Sequence, residues 1–350
     1  MLYHVPRIGR SVLRALAAGW AILLAALPAV AAAPLELHGH RGARGLAPEN
    51  TLAGFAEALA IGVSSLEMDL AVTADDRLVV LHDSRLDPAI TRDAAGRWLQ
   101  PPTPPVRSLT LEQLRRYDVG RIDPASAHAR RWPEQRPRDG ERIPTLAEVA
   151  ALVRASGNRT VRFQLETKLD PHQPALTAPP ELFARLLVEE ARRLGIADRV
   201  TVQSFDWRTL KAVQALAPEI ATACLTVQQR WLDNLERGRP GPSPWTAGLD
   251  LEAIGGSVPD LVEAAGCRVW SPAWEDLHLL SLAEAHSLGL AVVTWTVNDP
   301  AVMEGLVDGG VDGIVTDYPD RLRELMRRKG LALPPATPVP QGGSDPGRVP

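Results

Sequence analysis

The chain has 350 residues, 45% of them hydrophobic and 23% charged, enough apolar material to bury one large globular core. A formal net charge of −4, with no basic patch interleaved with aromatics, argues against a nucleic-acid partner. Two cysteines, Cys224 and Cys267, are too few for a disulfide framework, and they either pair in an oxidising compartment or stay as buried thiols.

The first segment differs from the rest. Arg7, Arg10 and Arg14 precede an apolar run, Ala15 to Val30, which leads into the small residues Ala29-Val30-Ala31-Ala32-Ala33. This pattern predicts a secretory signal peptide over residues 1–31. The run falls short of the ~20 apolar residues of a spanning helix, so no stable membrane anchor is expected after cleavage. The mature protein is then exported, to the periplasm or the medium.

From Pro34 onward, short apolar runs alternate with helical patterns. The runs are Leu35–His40, Ser65–Val72, Leu78–His82, Val161–Thr167, Val200–Phe205, Ile220–Val227, Arg268–Ala273, Ala291–Val297 and Gly313–Thr316. Most are continuously apolar rather than alternating, as in parallel strands covered on both faces. Between the first two, Thr51–Ile61 places Leu52, Phe55, Ala56, Leu59 and Ala60 on one helical face, with Asn50 or Thr51 as cap. Thr145 with Glu148, and Ser281 with Glu284, have capping-box spacing. About eight strand–helix units predict an α/β fold, a TIM-type (β/α)8 barrel over residues 35–328.

The count of runs exceeds eight. Val72 and Leu78 are separated by a short polar turn, Thr73 to Arg77, and parallel neighbours need a longer crossover. The segments bearing Asp69 and His82 therefore form an antiparallel β-hairpin, or one lies outside the barrel. Folding back brings His82 to the level of Glu67 and Asp69. From about residue 84 to 143 the periodicity fails, apart from a weak helix near Thr110–Tyr117, and this stretch reads as an insertion over the barrel mouth. Leu331 to Pro350, with six prolines and three glycines, is expected to be a disordered tail.

Glu67 and Asp69 stand two apart on a strand and so share a face. Two carboxylates on an inner face repel one another unless a cation lies between them. Glu166 and Lys168 repeat the spacing on another strand. Three carboxylates without clustered Cys or His describe an all-oxygen site, so Ca²⁺ or Mg²⁺ is expected over Zn²⁺. His40 and His82 each end a strand run, followed by Arg41 and Asp83. Imidazole can act as base or acid near neutral pH, and phosphodiester cleavage needs both.

These residues fall in motifs. His38 to Thr51 reads HGHRGARGLAPENT, followed in order by Glu67-Met68-Asp69, His82-Asp83, Glu166-Thr167-Lys168, Ser204-Phe205, Trp295-Thr296-Val297-Asn298 and Thr316-Asp317-Tyr318-Pro319. The series resembles the glycerophosphodiester phosphodiesterase family in its exported bacterial form. The resemblance covers roughly Leu35 to Arg328, insertion aside, and implies a TIM-type barrel. It implies His40 and His82 as the acid–base pair and Glu67, Asp69 and Glu166 as ligands of one divalent cation. Arg41, Lys168 and Trp295 become substrate contacts, with Glu49 and Asn50 near the site. The implied reaction converts a glycerophosphodiester to sn-glycerol 3-phosphate and an alcohol.

Other readings share the barrel. His38-Gly39-His40 imitates the His-x-His of zinc amidohydrolases, but the middle strand runs lack the further histidines those enzymes need. A phospholipase D-like lyase acting on sphingomyelin or lysophospholipids has the same acid and histidine layout. It needs a wide apolar mouth, which the polar Trp98–Trp132 stretch disfavours. A silent binding barrel is expected to have lost one of the five central residues, and all five are present.

Overall fold

Continuously apolar runs make strands whose two faces are both covered, and this holds in the computed structural model, which describes residues 34–340. The expected signal peptide lies outside the described residues, as do 341–350. The strands are β1 (Glu36–Gly39), β2 (Ser65–Val72), β3 (Leu78–Val80), β4 (Arg162–Thr167), β5 (Val200–Ser204), β6 (Ala221–Thr226), β7 (Gln228–Gln229), β8 (Leu232–Asp233), β9 (Val269–Pro272), β10 (Ala291–Thr294) and β11 (Gly313–Thr316). Parallel pairing runs β1-β11-β10-β9-β6-β5-β4-β2, and β1 also pairs with β2, so eight strands close on themselves. Helices lie between successive barrel strands, which gives the expected TIM-type barrel.

The surplus run is explained by β3. It pairs antiparallel with the upper end of β2, Leu70 opposite Val80 and Val72 opposite Leu78, outside the parallel ring. The Leu81 amide then donates to Asp69 O at 2.9 Å, which sets His82 beside the acidic strand.

Local chemistry fixes the helix starts. Thr51 Oγ1 caps the Leu52–Ile61 helix by accepting from the Gly54 amide. Thr145 and Glu148 form the expected capping box of Leu146–Ala155. The third helix start differs: the helix begins at Leu279 after His278, and Ser281 lies one turn inside it, its Oγ accepting from the His278 amide. The exposed Leu279 and Leu280 extend the helix past the point where its buried periodicity begins.

The 84–143 insertion has its own small core of Leu86, Val106, Leu114, Val119 and Ile143, packed on Ala71, Val79 and Leu81 of the hairpin. It is pinned to the barrel by Trp132, buried in the main core, and by the Arg136 amide donating to Leu46 O. Cys224 on β6 and Cys267 before β9 form a disulfide that encloses the β7–β8 hairpin.

The expectation of a disordered tail is corrected over 331–340. These residues form neither helix nor strand, yet the Thr337 amide donates to Leu59 O at 2.8 Å and Asn158 Nδ2 donates to Thr337 Oγ1 at 3.0 Å. Arg323 bonds both Gly62 O and Pro334 O, and Leu331 and Val339 pack on the core. Proline lowers the entropy such a segment loses on docking, so richness in proline is compatible with order here.

Candidate active site

The site is built first by the turn after β1. Gly39 and Gly42 leave no room for a side chain: a Cβ on Gly39 would lie 2.1 Å from Gly42 O, and one on Gly42 would lie 2.7 Å from Gly54 C. Gly42 also has φ +87°, which glycine adopts without strain. Between them Arg41 takes a left-handed φ of 49°. Its amide donates to Glu67 Oε2 at 2.8 Å and its carbonyl accepts from Asn50, so local hydrogen bonds hold a conformation that L side chains rarely adopt.

Pairing register assembles the acids. Asp69 lies directly opposite Glu166, and Glu67 opposite Gln164, between β2 and β4. Residues opposite one another in a parallel pair project to the same side, so all three carboxylates point inward together. One oxygen from each of Glu67, Asp69 and Glu166 lies within 4.8 Å of the others, and all three residues are buried.

Nearby groups divide the charge. Arg41 Nε is 3.1 Å from Asp69 Oδ2, and Lys168 Nζ contacts Glu166 Oε1 and lies 3.7 Å from Asp69 Oδ1. Burial raises the Asp69 carboxyl, but Arg41, His82 and Lys168 outweigh it and hold the group ionised, well below its usual range. Burial pushes Glu67 well above the usual range, and repulsion from Asp69 and Glu166 adds to it. Glu166 is pushed up to about 6 by burial, against the pull of Lys168. Two of the three acids thus lack enough positive charge around them. Asp69 Oδ1 is also buried without a hydrogen-bond donor. An all-oxygen cluster with a charge deficit and an orphaned oxygen fits a hard divalent cation.

Each histidine has a carboxylate on Nδ1. His40 Nδ1 is 2.6 Å from Asp317 Oδ1, and His82 Nδ1 is 2.8 Å from Asp83 Oδ1. The contacts fix each ring and leave Nε2 for the cleft that both rings line. Burial lowers the His40 pKa against the raising effect of Asp317, and it lowers His82 to about 4, helped by Arg41 and Lys168. Both rings are therefore neutral at pH 7 before any anion arrives.

The cleft measures about 1030 Å³ and is lined by His40, Arg41, Glu67, His82, Glu166, Lys168 and Trp295. With Asp69 buried against them, all eight site residues expected from the sequence meet at this one cleft. Glu49 is also here, bonded by Arg41 NH1 at 2.7 Å. Asn50 donates through Nδ2 to Asp69 Oδ2 at 2.8 Å, while Thr51 takes the capping role. Sequence reading missed the supporting groups. Asp317 is held by Trp132 Nε1 at 2.9 Å and Asn298 Nδ2 at 2.7 Å, and Gln203 Nε2 donates to Glu67 Oε1 at 2.9 Å. The Thr316-Asp317-Tyr318-Pro319 motif carried a signal for Asp317; the insertion offered none for Trp132.

Comparison with known proteins agrees with this geometry. The sequence profile described as the Glycerophosphoryl diester phosphodiesterase family matches residues 40–321. A glycerophosphodiester phosphodiesterase of Caldanaerobacter subterraneus subsp. tengcongensis is 29% identical over 297 residues, 83% of this chain and 97% of that protein. A solved Silicibacter pomeroyi DSS-3 structure that carries the family's name aligns at 36% identity and TM-score 0.75, over 86% of this chain and 95% of that one. An Oleispira antarctica phosphodiesterase, solved with the product sn-glycerol-3-phosphate, shares the fold at TM-score 0.61 and 22% identity, over 84% and 97%. With the match running from His40 to Arg321, the chain is a phosphoric diester hydrolase and belongs to the glycerophosphoryl diester phosphodiesterase family.

Proposed function

We propose that the protein hydrolyses glycerophosphodiesters to sn-glycerol 3-phosphate and an alcohol, using one divalent cation and the His40/His82 pair. The observation that carries this reading is the convergence of three buried carboxylates from β2 and β4 with two carboxylate-backed imidazoles at one cleft. The product bound to the Oleispira antarctica relative supports the same choice of products.

Glu67, Asp69 and Glu166 would hold the cation, Ca²⁺ or Mg²⁺, which when bound supplies Lewis-acid stabilisation of charge on the phosphoryl oxygens. Arg41 and Lys168 add fixed positive charge for the non-bridging oxygens, and fixed donors favour the more highly charged transition state over the ground state. Burial works against their charge, but Glu49 and Asp69 beside Arg41, and Glu166 and Asp69 beside Lys168, outweigh it and keep both groups charged. Asp317 and Asp83 accept from Nδ1–H of His40 and His82, so the neutral tautomer of each ring presents Nε2 as the basic nitrogen. One ring takes the proton of the attacking oxygen there. The other is charged when the anionic diester binds beside it and returns a proton to the leaving alkoxide.

We also propose that the protein works outside the cytoplasm, on the strength of its N-terminal charge and apolar pattern. The test is turnover of glycerophosphocholine by the purified protein, with sn-glycerol 3-phosphate detected by a coupled assay, before and after complete metal removal. Product formation that survives metal removal refutes the cation; no product from any glycerophosphodiester refutes the reaction.

A further inference from the structure

An aromatic wall runs outward from the acidic site. Lys168 Nζ lies 5.8 Å from the Phe205 ring centre, Phe205 stacks edge-on against Trp295 at 5.4 Å, and Trp295 against Trp231 at 6.2 Å. Trp295 is rigidly placed, its indole N–H donating to Ser271 O at 2.8 Å. Trp231 is the outer end, 67% exposed on the turn between β7 and β8. Trp231 thus presents a largely exposed indole at the edge of the cleft.

The same wall carries a free acid. Glu275 lines the cleft, is exposed to solvent, and makes no side-chain hydrogen bond or ion pair among the described residues. Its turn is clamped on both sides: the Trp274 amide donates to Trp295 O at 2.9 Å, and the Asp276 carboxylate accepts from Gln228 N and Gln229 Nε2 at 2.7 and 2.6 Å. Glu275 is thereby held between the strand end bearing Trp295 and the hairpin bearing Trp231. Elsewhere in the lining the acids are already engaged, Asp83 by His82 and Asp87 by His128, and the insertion adds Arg85 and Arg131.

Indole faces with a nearby unpaired carboxylate form the chemistry that recognises a quaternary ammonium, which has no N–H to donate and is bound by ring quadrupoles and countercharge. Lys168, taken above as a phosphate contact, stands at the inner end of this wall, which leaves the wall open to the alcohol end of a diester held there. We propose that Trp231, Trp295 and Glu275 form a subsite for a trimethylammonium head group, making choline-type glycerophosphodiesters the preferred substrate class. The proposal rests on the glycerophosphodiester reading above.

The test compares kcat/KM for glycerophosphocholine with that for its uncharged isostere, the 3,3-dimethylbutyl diester, in the wild type, Trp231→Leu and Glu275→Gln. The two substrates share shape and differ in the charge. The wild type is expected to favour the choline diester by about 3- to 30-fold, and each variant to reduce that ratio toward one. A wild-type ratio near one, or variants that slow both substrates equally, overturns the subsite while leaving the hydrolase reading intact. If no diester is turned over, the reaction assignment fails by itself. Tryptophan fluorescence titration of choline chloride against 3,3-dimethylbutanol then decides the subsite: choline binding lost in Trp231→Leu supports it, and equal binding of the two removes it.

Discussion

Asp317 Oδ1 stands 2.6 Å from His40 Nδ1, while Oδ2 of the same carboxylate is held by Trp132 and Asn298. Burial raises the Asp317 carboxyl, but His40 and Arg44 outweigh it and keep the group ionised. Asp317→Asn leaves a side chain of equal size that can donate to Nδ1 and stabilise the wrong tautomer. The expected result is a fall in kcat of about 10²–10⁴-fold with KM little changed, and a circular-dichroism melt near that of the wild type. Retained turnover would show that the orientation of His40 does not limit the reaction.

His40→Ala and His82→Ala should each lower kcat by roughly 10²–10⁴-fold. Steady-state assays with cation in excess read this directly. Near-normal turnover in either variant removes that ring from the chemistry.

Cation binding should depend on pH. Without the ion, Glu67 is held well above its usual pKa and Glu166 at about 6. Both must ionise to coordinate, so binding displaces protons and the affinity rises with pH as they do. Calorimetry in buffers of different ionisation enthalpy should show net proton release near pH 6, where Glu166 titrates. An affinity unchanged between about pH 5 and about pH 8 would contradict the assigned ligands.

Glycerophosphocholine should be a better substrate than lysophosphatidylcholine. The insertion beside the cleft contributes charged residues such as Arg85 and Arg131, which suit a wetted mouth better than an acyl chain. The opposite ranking in a side-by-side assay would favour a lyase acting on lysolipids.

The Cys224–Cys267 disulfide closes a span of 43 residues. Loop-closure entropy puts its stabilisation at about 4 kcal/mol. Denaturant unfolding of the Cys224→Ser/Cys267→Ser protein should show a loss of that order, and an unchanged midpoint would mean the bridge constrains little in the unfolded chain.

What could be read from the sequence follows the range of the interactions involved. Strand runs such as Val161–Thr167 are local apolar patterns, and the shared face of Glu67 and Asp69 is a two-residue rule. The antiparallel β3 was foreseeable because a five-residue turn cannot hold a crossover. Trp132 reaches Asp317 across 185 residues from a segment without periodicity, and Gln203 reaches Glu67 across 136. Nothing local marks either partner. Cys224 and Cys267 stayed undecided because pairing depends on how β6 meets β9. The Pro-rich end misled over 331–340 because composition says nothing of the Leu59 and Asn158 groups awaiting Thr337.

The covalent ring through Cys224 and Cys267 divides the cleft between two parts of the chain. The acids on β2 and β4 lie outside that ring, whereas Trp231 rides inside it. A chain made in a reducing cytosol would keep its hydrolytic machinery but carry a looser outer lip. Reducing the bridge would then be felt at the lip that carries Trp231 before it reaches the acids on β2 and β4.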